Sequence, residues 1–592
     1  MKLVDALVGT LRDWGVRYLF GVSGANIEHL HDAIHRLGQG RLESVLARSE
    51  LGAAFMADAR ARTHRTLGVC CATSGGGMMN LAVGVAESYA ESVPVLAILG
   101  QIPAALEGRG GFQDSSGVGR TVDARSMWRA MRRLAVRVDG AEGFWEKLAD
   151  AARAALSGRP GPAVLLVTRD AYELEIPARP AGFPVDLAEL MRPLPAPEPK
   201  VGALLDLIRR AQRPVLVLGS GASRSSAPAA VVRFAIEAGV PVVTTMANPG
   251  GFPANHPLFL GTIGAAGHPS AHAYLNERAD LIVVAGSGLG SMIRQPLGRA
   301  LARCPVAVVN LDPYEIGRAL QPVLVVEGDA GVVFEELRRR RALAPFAHPP
   351  PDYALTRYLP EIVDSPAREV RAIGDGPCGG LLQSQAIDIL EGHLPARGHI
   401  LFDAGNCAAA AIHGMSLPHG ATSTIALGMG GMGYAIAGAI GAQLGARARE
   451  RSIVLCGDGA FLMLGLEIHT AVERRLPILF VVFNNAKHGM CVTRQNVYFE
   501  GRVESSEYAR VDIATVARGL GDPSSLWVGR ATTSAQLRHE LATYDTMGAR
   551  PGVLELVLMR EEVPPFAPFL DADHPTYVVR PATASGRIQP AA

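Results

Sequence analysis

Two runs decide the reading of this chain: Ile453-Val-Leu-Cys-Gly457-Asp458-Gly459-Ala460 and Ile478-Leu-Phe-Val-Val-Phe-Asn484-Asn485. Each apolar run is continuous rather than alternating, the pattern of a strand covered on both faces. Asp458 and Asn485 are 27 positions apart, the length of one strand–helix–strand crossover. Such a crossover delivers both side chains to the carboxyl edge of one parallel sheet, where ligands of these sheets sit. Singly, Gly-Asp-Gly is a turn and Asn-Asn a strand end; the spacing joins them. A carboxylate beside an amide oxygen suits a hard cation such as Mg²⁺, completed by phosphate oxygens and water. Gly457 and Gly459 let backbone N–H groups approach a diphosphate at a helix N-terminus.

Runs of the same kind recur along the chain: Arg17–Val22, Pro94–Gly100, Pro214–Gly219 and Leu281–Gly286. Alternating with amphipathic stretches, they predict an α/β protein of doubly wound parallel sheets. Residues 176–200 hold seven prolines, and residues 338–351 run from four arginines into three prolines, so both read as linkers. The expected organisation is therefore residues 1–175, 201–337 and 352–575, each of ordinary domain size, with a tail over 576–592. The arginine cluster follows Phe334-Glu335-Glu336 and reads as a helix end complementing its dipole.

Composition excludes other classes. The 592 residues are 48% hydrophobic and 19% charged, which excludes a disordered chain. Lys plus Arg number 57 against 56 Asp plus Glu, so no basic excess points to nucleic acid or to an anionic membrane. Seven cysteines without a Cys-x-x-Cys give neither a disulfide framework nor a zinc site. Residues 404–446 carry no Lys, Arg, Asp or Glu, but the glycines between 428 and 445 make a buried loop and helix the better reading than a membrane span. Asp5, Arg12 and Asp13 interrupt the first apolar stretch, so a cytoplasmic protein is expected.

The Gly-Asp-Gly run followed by Asn-Asn resembles the thiamine-diphosphate binding motif. Three further stretches resemble those of the acetolactate-synthase-like group. Glu50-Leu-Gly-Ala-Ala-Phe-Met-Ala-Asp58 looks like the stretch whose Glu serves the cofactor ring nitrogen N1′. Gly428-Met-Gly-Gly-Met-Gly433 resembles the stretch that bends the cofactor, which makes Met432 the apolar wedge and the Gly430 carbonyl the acceptor for the 4′-amino group. Thr73-Ser-Gly-Gly-Gly-Met-Met-Asn80 looks like the family's Thr-Ser-Gly-Pro-Gly-x-x-Asn turn, with Gly76 in place of Pro.

The resemblance spans the whole chain and implies further assignments. Glu50, Gln113 and Met432 would be catalytic. Asn80, Gly430, Met432, Gly457, Asp458, Gly459, Ala460, Asn485, Lys487, Gly489 and Met490 would hold thiamine diphosphate. Asp458, Asn485 and the Lys487 backbone carbonyl would hold Mg²⁺. Ala25, Asn26, Phe112 and Gln113 would line the substrate pocket. By implication, 1–175 is a pyrimidine-binding domain, 352–575 a diphosphate-binding domain, and 201–337 a nucleotide-binding-like domain. Active sites would lie between subunits of a homodimer or homotetramer.

The implied reaction is decarboxylation of a 2-oxo acid such as pyruvate, with transfer of the acyl anion equivalent to a carbonyl acceptor. No His-His pair occurs between residues 100 and 130, where decarboxylases of the pyruvate type carry their proton donor. That favours carbon–carbon bond formation. The alternative is a 2-oxo-acid decarboxylase or a hydroxy-ketone lyase, since Ala25, Gln113 and Gly75–Gly77 also resemble benzaldehyde lyase. Cys491-Val-Thr-Arg-Gln495 lacks the Trp that selects larger acceptors in anabolic acetolactate synthases. Glycine turns at Gly219-Ser-Gly221 and Gly286-Ser-Gly288 admit FAD without supporting it.

Overall fold

A computed structural model describes residues 1–312, 314–317, 320–349, 380–558, 562 and 566. The expected tail at 576–592, the end of the second expected linker and the first residues of the third expected segment lie outside them.

Three six-stranded sheets carry the fold. The first holds β1 (Tyr18–Gly21), β2 (Glu43–Leu46), β3 (Gly68–Ala72), β4 (Val95–Gln101), β5 (Leu134–Val138) and β6 (Ala163–Thr168). The second holds β7 (Pro214–Leu218), β8 (Val242–Thr245), β9 (Phe259–Ile263), β10 (Leu281–Ala285), β11 (Val306–Asn310) and β12 (Leu324–Glu327). The third holds β13 (Gly398–Phe402), β14 (Ala421–Ile425), β15 (Arg451–Gly457), β16 (Ile478–Asn484), β17 (Trp527–Ala531) and β18 (Gly552–Val557). Parallel pairing runs through all three. The α/β class read from the continuous apolar runs is therefore the class observed, and β3, β4, β7, β10 and β16 are buried along their whole length.

Strand order is β2-β1-β3-β4-β6-β5 in the first sheet and β14-β13-β15-β16-β18-β17 in the third, so the two share one topology. The order reverses between β1 and β3 and between β13 and β15, which opens a crevice at the carboxyl ends of those strands. The second sheet, β12-β11-β10-β7-β8-β9, reverses between β7 and β10.

The chain packs as two compact units. One comprises Met1–Arg192, Ile425–Ala448 and Met463–Ile478; the other comprises Pro193–Thr424, Arg449–Leu462 and the described residues from Leu479 on. In the first unit, helix Glu50–His64 lies against helices Gly76–Ala90 and Tyr434–Gln443. Glycine permits both approaches: a Cβ at Gly84 would strike Ala54, and one at Gly441 would strike the Met56 carbonyl.

The uncharged stretch read as a buried loop and helix is β14, a glycine loop and the wholly buried helix Tyr434–Gln443. Among the described residues, no helix is long and apolar enough to cross a membrane. The linkers differ from expectation. Helix Ala330–Leu343 continues through all four arginines, so the segment expected as a linker from 338 starts as helix. Arg338 pairs with Glu335, and Arg339 and Arg340 pair with Glu336, which supports those last turns. The segment 176–200 likewise contains helix Leu187–Leu190 and the start of helix Glu198–Arg210.

Candidate active site

In the first unit, Glu50 is the first residue of its helix, and Ser49 is the N-cap, its hydroxyl accepting the Gly52 N–H at 3.0 Å. A carboxylate at this position is held by the helix dipole. Glu50 is half-buried, and its Oε2 accepts a hydrogen bond from the Asn80 amide at 3.1 Å. Asn80, expected against the cofactor, is thus on the Glu50 carboxylate. Gly77 lies beneath, where a Cβ would stand 2.9 Å from Glu50 Oε1.

The loops after β1, β3 and β4 bring two of the expected pocket residues, Asn26 and Gln113, to Thr73. Asn26 is buried, donates to Ser74 Oγ at 2.7 Å, and offers its backbone N–H to Thr73 Oγ1 at 3.3 Å. The Thr73 hydroxyl donates to Gln113 Oε1 at 3.4 Å, and a Cβ on Gly75 would stand 3.0 Å from Gln113 Cβ. Gln113 adopts φ +64°, a strained conformation for a side chain with a Cβ. Ala25 is exposed, and Phe112 is 81% exposed.

The loop after β14 carries Gly430 at φ +65° and a half-buried Met432. Gly431 rests on the Glu50 helix, where a Cβ would stand 2.8 Å from the Phe55 ring.

In the second unit, β15 ends at Gly457 and a helix starts at Asp458 itself. Asp458 is buried; its Oδ1 accepts the Gly459 N–H at 3.0 Å and its Oδ2 the Ala486 N–H at 2.8 Å. Asn485 Oδ1 accepts the Lys487 N–H at 3.2 Å. The crossover therefore sets the Asp458 carboxylate on the backbone that bears Asn485. Burial raises the Asp458 carboxyl above its ordinary range, while the Ala486 N–H, the neighbouring Tyr508 hydroxyl and the Gly459 N–H favour the charge. A buried carboxylate so placed suits a cation, whose charge replaces the lost hydration. Ala460 is buried, Gly489 and Met490 open helix Gly489–Tyr498, and the Lys487 ammonium pairs with Glu507 at 3.2 Å.

The two asparagines divide the work. Asn484 turns into the fold, donating to Glu555 at 2.6 Å and to the Val511 carbonyl at 2.8 Å, which leaves Asn485 at the edge. In the middle sheet the glycine turns close on each other: a Cβ on Gly219 would strike the Gly286 carbonyl.

Sequence reasoning missed Glu467. Its carboxylate, 1% exposed, accepts the Arg48 N–H at 3.0 Å, the Ser49 N–H at 2.8 Å and the Ser49 hydroxyl at 2.9 Å. It thereby braces the start of the Glu50 helix, and Gly52 makes room, since a Cβ there would overlap that carboxylate. One signal was available: a lone acid in the apolar run Leu464-Gly-Leu-Glu-Ile468.

Three parallel six-stranded sheets in this order are those of a known enzyme class. The Thiamine pyrophosphate enzyme family matches in three parts: its N-terminal TPP binding domain over residues 1–118, its central domain over 201–337 and its C-terminal TPP binding domain over 403–555. The chain belongs to this family of thiamine-diphosphate-dependent enzymes. It is similar to the acetolactate synthase large subunit of Corynebacterium glutamicum, 28% identical over 94% of this chain and 87% of the relative. It is also similar to the probable acetolactate synthase large subunit of Methanocaldococcus jannaschii, at 26% over 100% and 97%. The acetolactate synthase isozyme 2 large subunit of Escherichia coli is 27% identical over 84% and 85%.

Proposed function

We propose that this enzyme is a thiamine-diphosphate- and Mg²⁺-dependent carboligase, which decarboxylates a 2-oxo acid such as pyruvate and transfers the acyl anion equivalent to a carbonyl acceptor. The observation that carries the metal half is the Asp458 carboxylate bonded to the backbone beside Asn485. The Asn485 side chain is the neighbouring oxygen donor in sequence, and an anionic diphosphate would supply the ligands that Mg²⁺ still needs. Asp458, Asn485 and the Lys487 carbonyl would hold the ion, with Gly457, Gly459 and Ala460 leaving backbone room for the diphosphate and Gly489 and Met490 beyond it. When bound, thiamine diphosphate supplies an electron-accepting thiazolium carbon.

The chain's own residues do the rest. Glu50 holds a proton at N1′, with the Asn80 amide orienting its carboxylate. The Gly430 carbonyl would accept from the cofactor's 4′-amino group, and Met432 would be the apolar wedge that supports its bend. Gln113, fixed by Thr73 and Gly75, orients the acceptor carbonyl, with Ala25, Asn26 and Phe112 around it. Residues 100–130 hold no histidine, the residue type that would serve as proton donor in the decarboxylase alternative, and this favours carbon–carbon bond formation.

We place domain borders at 1–175, 201–337 and 352–575, and the enzyme in the cytoplasm as a homodimer or homotetramer. Exposed Met79, Val83, Met429 and Leu466 in the first unit support a second copy as cover. The Gly219 and Gly286 turns pack on each other; they admit FAD without supporting it. The test is [¹³C]pyruvate with thiamine diphosphate and Mg²⁺, followed by NMR of the products. Carbon–carbon-coupled acetolactate is expected. Stoichiometric acetaldehyde would replace this reading with the decarboxylase alternative.

A further inference from the structure

The first unit contains a buried set of charges that no step above uses. Arg62, on the Glu50 helix, is enclosed among three carboxylates, of which Asp58 and Glu87 are 0% exposed. Its guanidinium reaches Asp58 at 2.6 Å, Glu87 at 3.3 Å and Glu91 at 3.6 Å, and donates to the Ile425 carbonyl at 3.2 Å. Asp58 also accepts the Tyr434 and Ser88 hydroxyls, each at 2.8 Å. Glu87 makes its shorter bonds elsewhere. Its two oxygens accept the backbone N–H groups of Gly428 at 3.1 Å and Met429 at 2.6 Å.

Three carboxylates around one guanidinium leave excess negative charge in a buried place, and such groups cost stability unless every lone pair is engaged. The surplus falls on the glycine loop, whose N–H groups satisfy Glu87 through charge-assisted bonds. The loop is thus pinned at both ends: by Glu87 at residues 428–429, and by Tyr434, which donates to Asp58 where its helix starts. Between the pins stand only Gly430–Gly433, carrying the Gly430 carbonyl and the Met432 side chain. Gly428 is required by the close seat, since a Cβ there would stand 2.6 Å from Ala90 Cβ.

We propose that Glu87, oriented by Arg62, is a positioning residue that sets the Gly430 carbonyl and the Met432 side chain against the cofactor's aminopyrimidine. This rests on the roles given to Gly430 and Met432 above. Glu87 touches neither substrate nor cofactor; it acts through two peptide N–H groups.

The test compares Glu87→Gln with Ser88→Ala in the full chain. Gln keeps the shape but turns an NH₂ toward loop N–H groups or toward Arg62, so one loop bond is lost. Ser88→Ala removes a bond to Asp58 and none to the loop. In the cofactor-free protein, amide exchange at Gly428 and Met429 is expected to accelerate about tenfold in Glu87→Gln, with β3 amides unchanged. With thiamine diphosphate and Mg²⁺, cofactor C2 proton exchange and turnover are expected to fall together, roughly tenfold to a hundredfold, at constant KM. Ser88→Ala should lower the melting temperature without either signature.

If Glu87→Gln fails to fold, Gly428→Ala displaces the same seat with every charge intact and should give the same pair of changes. Unchanged loop exchange, or unchanged C2 proton exchange, in whichever variant folds would overturn the proposal. Met432→Ala at the wild-type C2 exchange rate would instead defeat the role given to the loop; the amide exchange of the cofactor-free protein would still report on Glu87.

Discussion

The first and third sheets have one strand order but place their carboxylates at different points of it. In the first, the acid follows the second strand: Glu50, half-buried, with the Asn80 amide as its hydrogen-bond partner. The loop after the third strand, Thr73–Gly76, is uncharged and binds Asn26 and Gln113. In the third sheet the arrangement is inverted. The loop after the second strand is the uncharged Gly428–Gly433, and the acid follows the third strand as Asp458, buried and fixed by two backbone N–H groups. A shared topology thus fixes where a ligand is met, while the loop sequences decide what meets it. A loosely held acid suits proton exchange; a rigid, desolvated one suits a cation. The middle sheet has a different strand order, and its glycine turns close on each other.

Four predictions press on that contrast. Glu50→Gln, the largest, should lower turnover by about 10²–10⁴-fold while thiamine-diphosphate affinity, read by calorimetry, changes little. A large loss of affinity would mean that Glu50 anchors rather than exchanges protons. Asp458→Ala should do the reverse, weakening Mg²⁺-dependent cofactor binding by about 10–100-fold or more; unchanged affinity would count against the metal assignment. Met432→Ala should cost about tenfold in turnover with the cofactor retained, as expected of a loop that shapes rather than anchors. Equal turnover in that variant would remove the wedge.

The smallest effect concerns the middle sheet. Burial holds the His272 imidazole down at about 4, and its Nε2 accepts the Gly264 N–H at 3.2 Å, so the folded state keeps it neutral. The unfolded chain takes up that proton near pH 6.5, so stability should fall as pH drops from about 6.5 toward 4, by at most about 3 kcal/mol. Urea unfolding at pH 7 and pH 5 checks this. His272→Gln should flatten the difference without altering turnover at pH 7, if the middle sheet contributes stability rather than chemistry.

Much of this was legible in the sequence because parallel strands end where ligands sit. The Asp458–Asn485 spacing implied one crossover, and the crossover places Asp458 on the Ala486 N–H. Glu467 and Glu87 were not legible. Each is a lone acid in an apolar helical stretch, and its partners stand more than 300 positions away in sequence, at Ser49 and at Gly428. Arg338–Arg341 form the end of a helix, as their place after Glu335-Glu336 implied, and Glu–Arg pairs one turn apart carry it to Leu343; only the linker start, set at 338 from the prolines that follow, was misplaced.

A crystal structure of the enzyme with thiamine diphosphate and Mg²⁺ tests the central claim most directly. The account predicts the Asp458 and Asn485 side-chain oxygens on the metal at about 2.0–2.1 Å, with the Glu50 carboxylate within hydrogen-bond reach of N1′. A metal bound by other residues, or a pyrimidine ring away from Glu50, would contradict it.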